Sequence, residues 1–201
     1  MLDPAAVWVE DEVTVGEGTL LLPGTILRGK TVIGARCEIG PNTMLTDCTV
    51  EDGCTVNSSQ ASESVIRAGS EIGPFAHLRP HTVVGAGSKI GAFVQLKNCD
   101  LGEGTKMAHL TYVGDSDVGA HCNFGCGTVT CNYDGRVKER TTIGSDVFIG
   151  CQTRFIPPVQ VGDGAYIAAG TTITEDVPEG AFVIGRSRQT VKTDWKDRRK
   201  K

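Results

Sequence analysis

The residues best suited to do chemistry in this chain are His109, the cations Arg79 and Lys97, and a polar run from Cys131 to Lys138. Histidine titrates near neutrality, so His109 can take a proton from an attacking ammonium without carrying a permanent charge. Arg79 and Lys97 stand 18 residues apart. Two cations brought close together repel unless an anion sits between them, and a phosphate suits a guanidinium fork beside an ammonium point charge. A base and an anion clamp together suggest acyl transfer from a carrier thioester to an amine on a phosphorylated acceptor. That chemistry requires a fold that brings these positions together.

The elements that must do so are written in an aliphatic column of period six: Val15, Leu21, Leu27, Ile33, Ile39 and Leu45, then Ile66, Ile72, Leu78, Val84, Ile90 and Leu96. Six residues of α-helix turn through about 600°, which would scatter these side chains over several faces. A short strand and a corner per repeat is the alternative, often with Gly after the aliphatic and a small residue four positions on. This is the signature of an all-β parallel β-helix, a hexapeptide-repeat solenoid. The column slips by one residue at Val50, Leu101 and Val118, passes through Ala61, breaks between Thr130 and Ile143, and resumes at Ile149. The spacing predicts one domain over 1–201, with about nine coils across 13–176, a protruding loop at 131–142 and a C-terminal arm at 177–201.

Three strands close each coil, so residues 17 or 18 apart stack at about 4.8 Å. Arg79 then lies under Lys97, with His77, Gln95 and Tyr112 as a parallel ladder of hydrogen-bonding groups. Two residues after the middle-strand aliphatics come His109, Cys126, Cys151 and Ala169. Small side chains above one imidazole leave a slot for an extended ligand arm, although a tight corner also favours small residues. The N–H of Cys126 is a candidate donor to the oxygen that gains charge in acyl transfer. The loop after Thr130 is expected to bring Asn132 and Tyr133 over the imidazole.

The bulk numbers remove several classes. A net charge of −4, with no basic patch interleaved with aromatics, gives no field to hold nucleic acid. No apolar run approaches the length of a membrane span and no export signal is visible, so a soluble cytoplasmic protein is expected. Eight cysteines lack a paired framework. Cys37, Cys54 and Cys122 occupy small inward positions and read as reduced core residues, while the cluster of His121, Cys122, Cys126 and Cys131 has no Cys-x-x-Cys pair for zinc. No metal is expected. The basic stretch from Lys192 to Lys201, with Trp195 inside it, is either a solvated cap or an arm reaching a neighbouring subunit or an anionic ligand.

From Gly73 to Arg188 the chain carries GPFAHLRP, FVQLKN, KMAHLTYVGD, NFGCGTVTCNYDG, TTIGSDVFIG and IAAGTTITEDVPEGA. These closely resemble the acetyltransferase half of the bacterial bifunctional glucosamine-1-phosphate acetyltransferase and N-acetylglucosamine-1-phosphate uridyltransferase family. The resemblance implies a left-handed winding, an exception to the right-handed crossover rule, and a homotrimer with sites between subunits. It implies transfer of acetyl from acetyl-CoA to the amine of glucosamine 1-phosphate, supplying UDP-N-acetylglucosamine for cell-wall and lipopolysaccharide synthesis. His109 matches the family's proton acceptor; Arg79, Lys97, Tyr112, Asn123 and Lys138 match sugar-phosphate ligands. Asn132 and Tyr133 match the pair beside the base that also contacts acetyl-CoA, and Cys126, Cys151, Ala169 and Arg186 match the acetyl-CoA groove.

Three positions depart from the family pattern. Cys126 replaces a common Ala and Cys151 a common Ser, both keeping the groove narrow-sided; Gln95 replaces a Glu whose charge would stabilise the imidazolium. No Gly-rich nucleotide-binding loop precedes the coils, so the uridyltransferase activity is not expected in this chain. Two rival readings remain: a non-catalytic hexapeptide scaffold, and a zinc-dependent β-helical carbonic anhydrase using His77, His81, His109 or His121.

Overall fold

The computed structural model of the protein describes residues 3–193. Trp195 and the rest of the basic segment beyond Thr193 lie outside the described residues. Apart from a single 3-10 turn at Pro4–Ala6, every element is a short strand, and every pairing between strands is parallel. The architecture is an all-β parallel β-helix, consistent with the left-handed hexapeptide winding.

Each coil contributes one strand to each of three faces. The first face stacks Val15, Ile33, Val50, Ile66, Val84, Leu101, Val118, Ile143 and Val161. The second is a 10-stranded sheet from Leu21 through Met107, Phe124, Ile149 and Ile167 to Val183. The third runs from Val9 through Leu27, Leu45, Ala61, Leu78, Leu96, Val113, Thr130 and Phe155 to Ile173. Between the end rungs these inward side chains form one continuous core, with Leu27, Ile39, Leu45, Leu78, Leu96, Met107 and Phe155 fully buried, while Val9 and Val15 at the first rung are exposed.

The column therefore stacks in the expected register, including the step through Ala61. The solenoid is longer than the spacing predicts, with ten rungs rather than about nine. Trp8–Val9 pairs with Ile26–Leu27 below the expected start at residue 13. At the other end Val177 bridges to Val161, and Phe182–Val183 pairs with Tyr166–Ile167, so the start of the expected arm is another coil. The hexad spacing is lost between Ile173 and Val177, which hides that coil from a period-six reading. The protruding segment is also shorter than 131–142, because Thr141–Ile143 is already a strand paired with Ser116–Val118.

Corners decide where side chains go. Asn98 and Asp115 turn the chain between the third and first faces at φ 47 and 48, a left-handed region that Asn and Asp tolerate better than most residues. The strands Gln95–Leu101 and Tyr112–Val118 run continuously round this corner. Buried Cys48, Cys54 and Cys99 are pushed up to about 11, about 11 and about 12 by desolvation. They stay as thiols, the state expected of Cys37, Cys54 and Cys122, which are all free and buried.

Candidate active site

His109 ends the strand Lys106–His109 at the corner between the second and third faces, in register with Ala92, and its side chain is exposed. Among the described residues its imidazole makes no hydrogen bond; the residue is held through its main chain, by the strand pairing and by the Thr111 hydroxyl, which donates to its carbonyl at 2.8 Å. Above it on the same corner stand Cys126, half-buried, then Cys151 and Ala169, both exposed. Their carbonyls are all engaged, accepting from Gln152 N–H (2.8 Å), Gly170 N–H (2.7 Å) and the Arg186 guanidinium (2.6 Å) respectively. Their N–H groups make no hydrogen bond among the described residues. The corner thus offers a column of free donors above the imidazole, flanked by Arg186.

The outer surface of the third face carries the two expected ladders. His77 pairs with Gln95 and Gln95 with Tyr112; on the far side of the aliphatics, Arg79 and Lys97 stack beneath Gly114. Gly114 lets Tyr112 lie along the face. A Cβ at position 114 would collide with the Tyr112 ring and hydroxyl and meet Asn132 Nδ2 at 3.1 Å. Gly114→Ala is therefore expected to lift Tyr112 off the face. The KM for a sugar phosphate should rise about 3- to 10-fold, the scale of one lost hydrogen bond, with little change in melting temperature; steady-state kinetics beside a thermal melt check this.

The cations have a partner that the spacing argument did not anticipate. Asp115, 7% exposed, places a carboxylate oxygen 3.9 Å from Lys97 Nζ. It also accepts from Asn98 Nδ2 at 2.6 Å and from Asn132 Nδ2. Burial acts to raise the Asp115 pKa, but the two amide donors and the charges of Lys97 and Lys138 outweigh it and hold the carboxyl below its ordinary range. Contact with Lys138, burial and the charge of Arg79 together lower the Lys97 pKa in spite of Asp115. Arg79, Lys97 and Lys138 thus crowd round one cavity of about 660 Å³, with Arg140 neutralised by Asp117 at its rim. The uncompensated positive charge there suits an anion. His77 stays biased to its neutral form by burial and by Arg79.

The segment after Thr130 differs from expectation in place and shape. It leaves from the corner between the third and first faces, because Asn132 stands two residues after Thr130, as Asp115 does after Val113. Asn132 is 7% exposed and committed to Asp115. Residues 133–138 form a small hairpin, with Tyr133 bridged to Lys138 and the Asp134 carboxylate accepting from Arg136 and Val137 N–H, both at 2.7 Å. The Tyr133 hydroxyl donates to Gly135 O at 2.8 Å, within the hairpin. In one chain, then, Asn132 and Tyr133 stand with the cations at the opposite edge of the third face from His109, not over the imidazole. Asn123 lies on the second face, between Lys106 and Phe148. Asp115 was missed because the sequence reading compared the residues flanking each aliphatic. The signal lay one step further on, where Asn98, Asp115 and Asn132 recur every 17 residues.

The four histidines do not converge. His77 lies on the third face, His109 follows the second, His81 follows the third and His121 follows the first. Among the described residues no three His, Cys, Asp or Glu side chains group as metal ligands. Among those residues no helix is long and apolar enough to cross a membrane.

The profile of the bacterial transferase hexapeptide family (six repeats) matches residues 12–47, 63–98 and 140–175, together more than half of the chain. The chain belongs to the bacterial transferase hexapeptide family. Within it, this hexapeptide protein is 51% identical over 195 residues to the bifunctional protein GlmU of Thermoanaerobacter pseudethanolicus, covering 97% of this chain and 43% of that protein. It is 47% identical over 200 residues to the bifunctional protein GlmU of Clostridium perfringens strain SM101, covering 100% of this chain and 44% of the relative. The chain thus spans less than half the length of the curated relatives it matches. Among solved structures, the UDP-N-acetylglucosamine acyltransferase of Francisella novicida superposes with a TM-score of 0.55 at 16% identity, covering 95% of this chain and 73% of that one. That likeness speaks to the hexapeptide fold alone.

Proposed function

We propose that this hexapeptide transferase moves the acetyl group of acetyl-CoA to the amine of glucosamine 1-phosphate, giving N-acetylglucosamine 1-phosphate for UDP-N-acetylglucosamine and so for peptidoglycan and lipopolysaccharide synthesis. The observation that carries the reading is one face with His109 and a column of free N–H donors at one edge and the Arg79, Lys97 and Lys138 cluster at the other. It occurs in a chain 51% identical along nearly its whole length to a bifunctional protein GlmU. Arg79, Lys97 and Lys138 hold the phosphate, and Tyr112 and Asn123 orient the sugar. His109 takes the proton from the ammonium, freeing the nitrogen to attack the thioester carbon. As the N–C bond forms, the Cys126 N–H stabilises the charge on the thioester oxygen. The C–S bond then breaks and the nitrogen gives up its second proton; of the two protons the ammonium has lost, one passes to the departing sulfur, so that CoA leaves as the thiol, and the other passes to solvent. Cys126, Cys151, Ala169 and Arg186 line the path of the pantetheine arm, and Asn132 and Tyr133 contact the acetyl-CoA end nearest the base.

This reading requires a second copy of the chain. Asn123 is on a different face from the cations, and Asn132 and Tyr133 are a face-width from His109, so a neighbouring prism must supply the missing groups. Phe75, Phe93 and Leu110 support such an interface. They stack along the His109 corner at φ 60, 58 and 43, are 57, 61 and 58% exposed, and the two rings lie 5.4 Å apart. Bulky residues in the left-handed region carry strain, and an exposed apolar ridge beside a catalytic histidine is what an assembly surface needs. The assembly is a homotrimer in the cytoplasm. The double variant Phe75→Asp/Phe93→Asp is expected to run as a monomer by light scattering and to lose acetyl transfer; a trimeric or fully active variant counts against this arrangement. The function itself is tested by following thiol release from acetyl-CoA with and without glucosamine 1-phosphate. Release only with the amino sugar supports it, and no release in either mixture refutes it in favour of a scaffold.

A further inference from the structure

The corner ladder of Asn98, Asp115 and Asn132 occupies three successive rungs, and Asp115 is its only charged member. An ionised carboxylate can only accept hydrogen bonds. Each neighbouring asparagine must therefore turn its Nδ2 toward Asp115 and its Oδ1 away. For Asn132 this has a chemical consequence: Oδ1 makes no hydrogen bond among the described residues, and it is left as an acceptor on a side chain otherwise buried. The same carboxylate faces Lys97 at 3.9 Å, so one group sets both an amide's polarity and a cation's place.

The geometry points to Asp115 as a positioning residue: it fixes Asn132 as a hydrogen-bond acceptor toward an N–H-bearing ligand, the amine of the sugar or an amide of the pantetheine arm, and anchors Lys97 in the anion clamp. The catalytic consequence rests on the acetyltransferase reading; the orientation of the amide does not. Were residue 115 an amide, it would offer one donor and one acceptor. The ladder could then run in either direction, and Asn132 would present Oδ1 only part of the time.

The D115N variant is expected to lose about 10- to 100-fold in kcat, the scale of a hydrogen bond to a charged group. The double variant N98D/D115N supplies the discriminating result. Its carboxylate, one rung lower, accepts from the amide at position 115, whose carbonyl is then left for Asn132 Nδ2. The working polarity returns, and activity should recover to within about 3-fold of wild type. Equal melting temperatures for the single and double variants separate this from a fold defect. Side-chain amide exchange of Asn132, followed by NMR on the full chain, reads the orientation without any substrate. Slow exchange in the wild type and in N98D/D115N, with fast exchange in D115N, supports the inference. Fast exchange in the wild type overturns it, as does an unchanged kcat in D115N or a double variant no better than the single one. If the wild type does not acetylate glucosamine 1-phosphate, the acetyltransferase reading fails and amide exchange alone decides the role of Asp115.

Discussion

Replacing His109 with alanine is expected to lower kcat between about a hundred- and ten-thousand-fold, the range that a positioned general base supplies. The KM for either substrate should barely move, because the imidazole is assigned proton transfer rather than binding. Stability should be almost unchanged. His109 is an exposed corner residue held through its main chain, and surface changes of this kind usually fall within about 0.5 kcal/mol. Thiol release under saturating acetyl-CoA measures the effect. A variant that keeps the wild-type rate would leave the corner without its base and favour a scaffold role.

The second large effect is on substrate affinity. Arg79→Ala/Lys97→Ala should raise the KM for glucosamine 1-phosphate about 100-fold or more, since each charge-assisted contact to phosphate contributes about 1.5–3 kcal/mol. The KM for acetyl-CoA should stay put, because the groove lies on another corner. The stability change should be small. Lys97 is disfavoured as a cation by Lys138 and Arg79, while its charge favours the buried Asp115 carboxylate. Removing two of the three crowded cations relieves their repulsion but also takes from Asp115 its ion-pair partner, two effects of opposite sign. Inorganic phosphate should raise the melting temperature of the wild type and not of the variant. Phosphate stabilising both proteins equally would place the anion site elsewhere.

What the sequence made legible follows from the simplicity of the fold. In a solenoid, neighbours in space are set by period alone, so Leu78 over Ala61, Lys97 over Arg79 and Cys126 over His109 could be read from spacing. Even the irregular step through Ala61 was recoverable, because Ala61 is the one apolar residue between Asn57 and Ser64. The two ends differ. Val9 stands six residues before Val15, so the period extends to the first rung, whereas at the other end the chain reaches Val177 in four residues instead of six, a shortcut that no period announces. The placement of the hairpin at residues 133–138 was missed for another reason. Spacing locates the rung from which a loop departs, but its own turn chemistry, here the Asp134 carboxylate and Gly135 at φ 98, decides how it folds. Asp115 was hidden in a third way. As a polar residue at a corner it looks like turn chemistry, and only the stacked Asn98 and Asn132 reveal that its carboxylate is buried and shared.

A crystal structure of the chain with CoA and glucosamine 1-phosphate tests the central placement most directly. The pantetheine arm is predicted to run past Ala169, Cys151 and Cys126 with its sulfur at the His109 imidazole, while the phosphate sits between Arg79 and Lys97. CoA bound along any other corner, or an amino group held out of reach of His109, would contradict it.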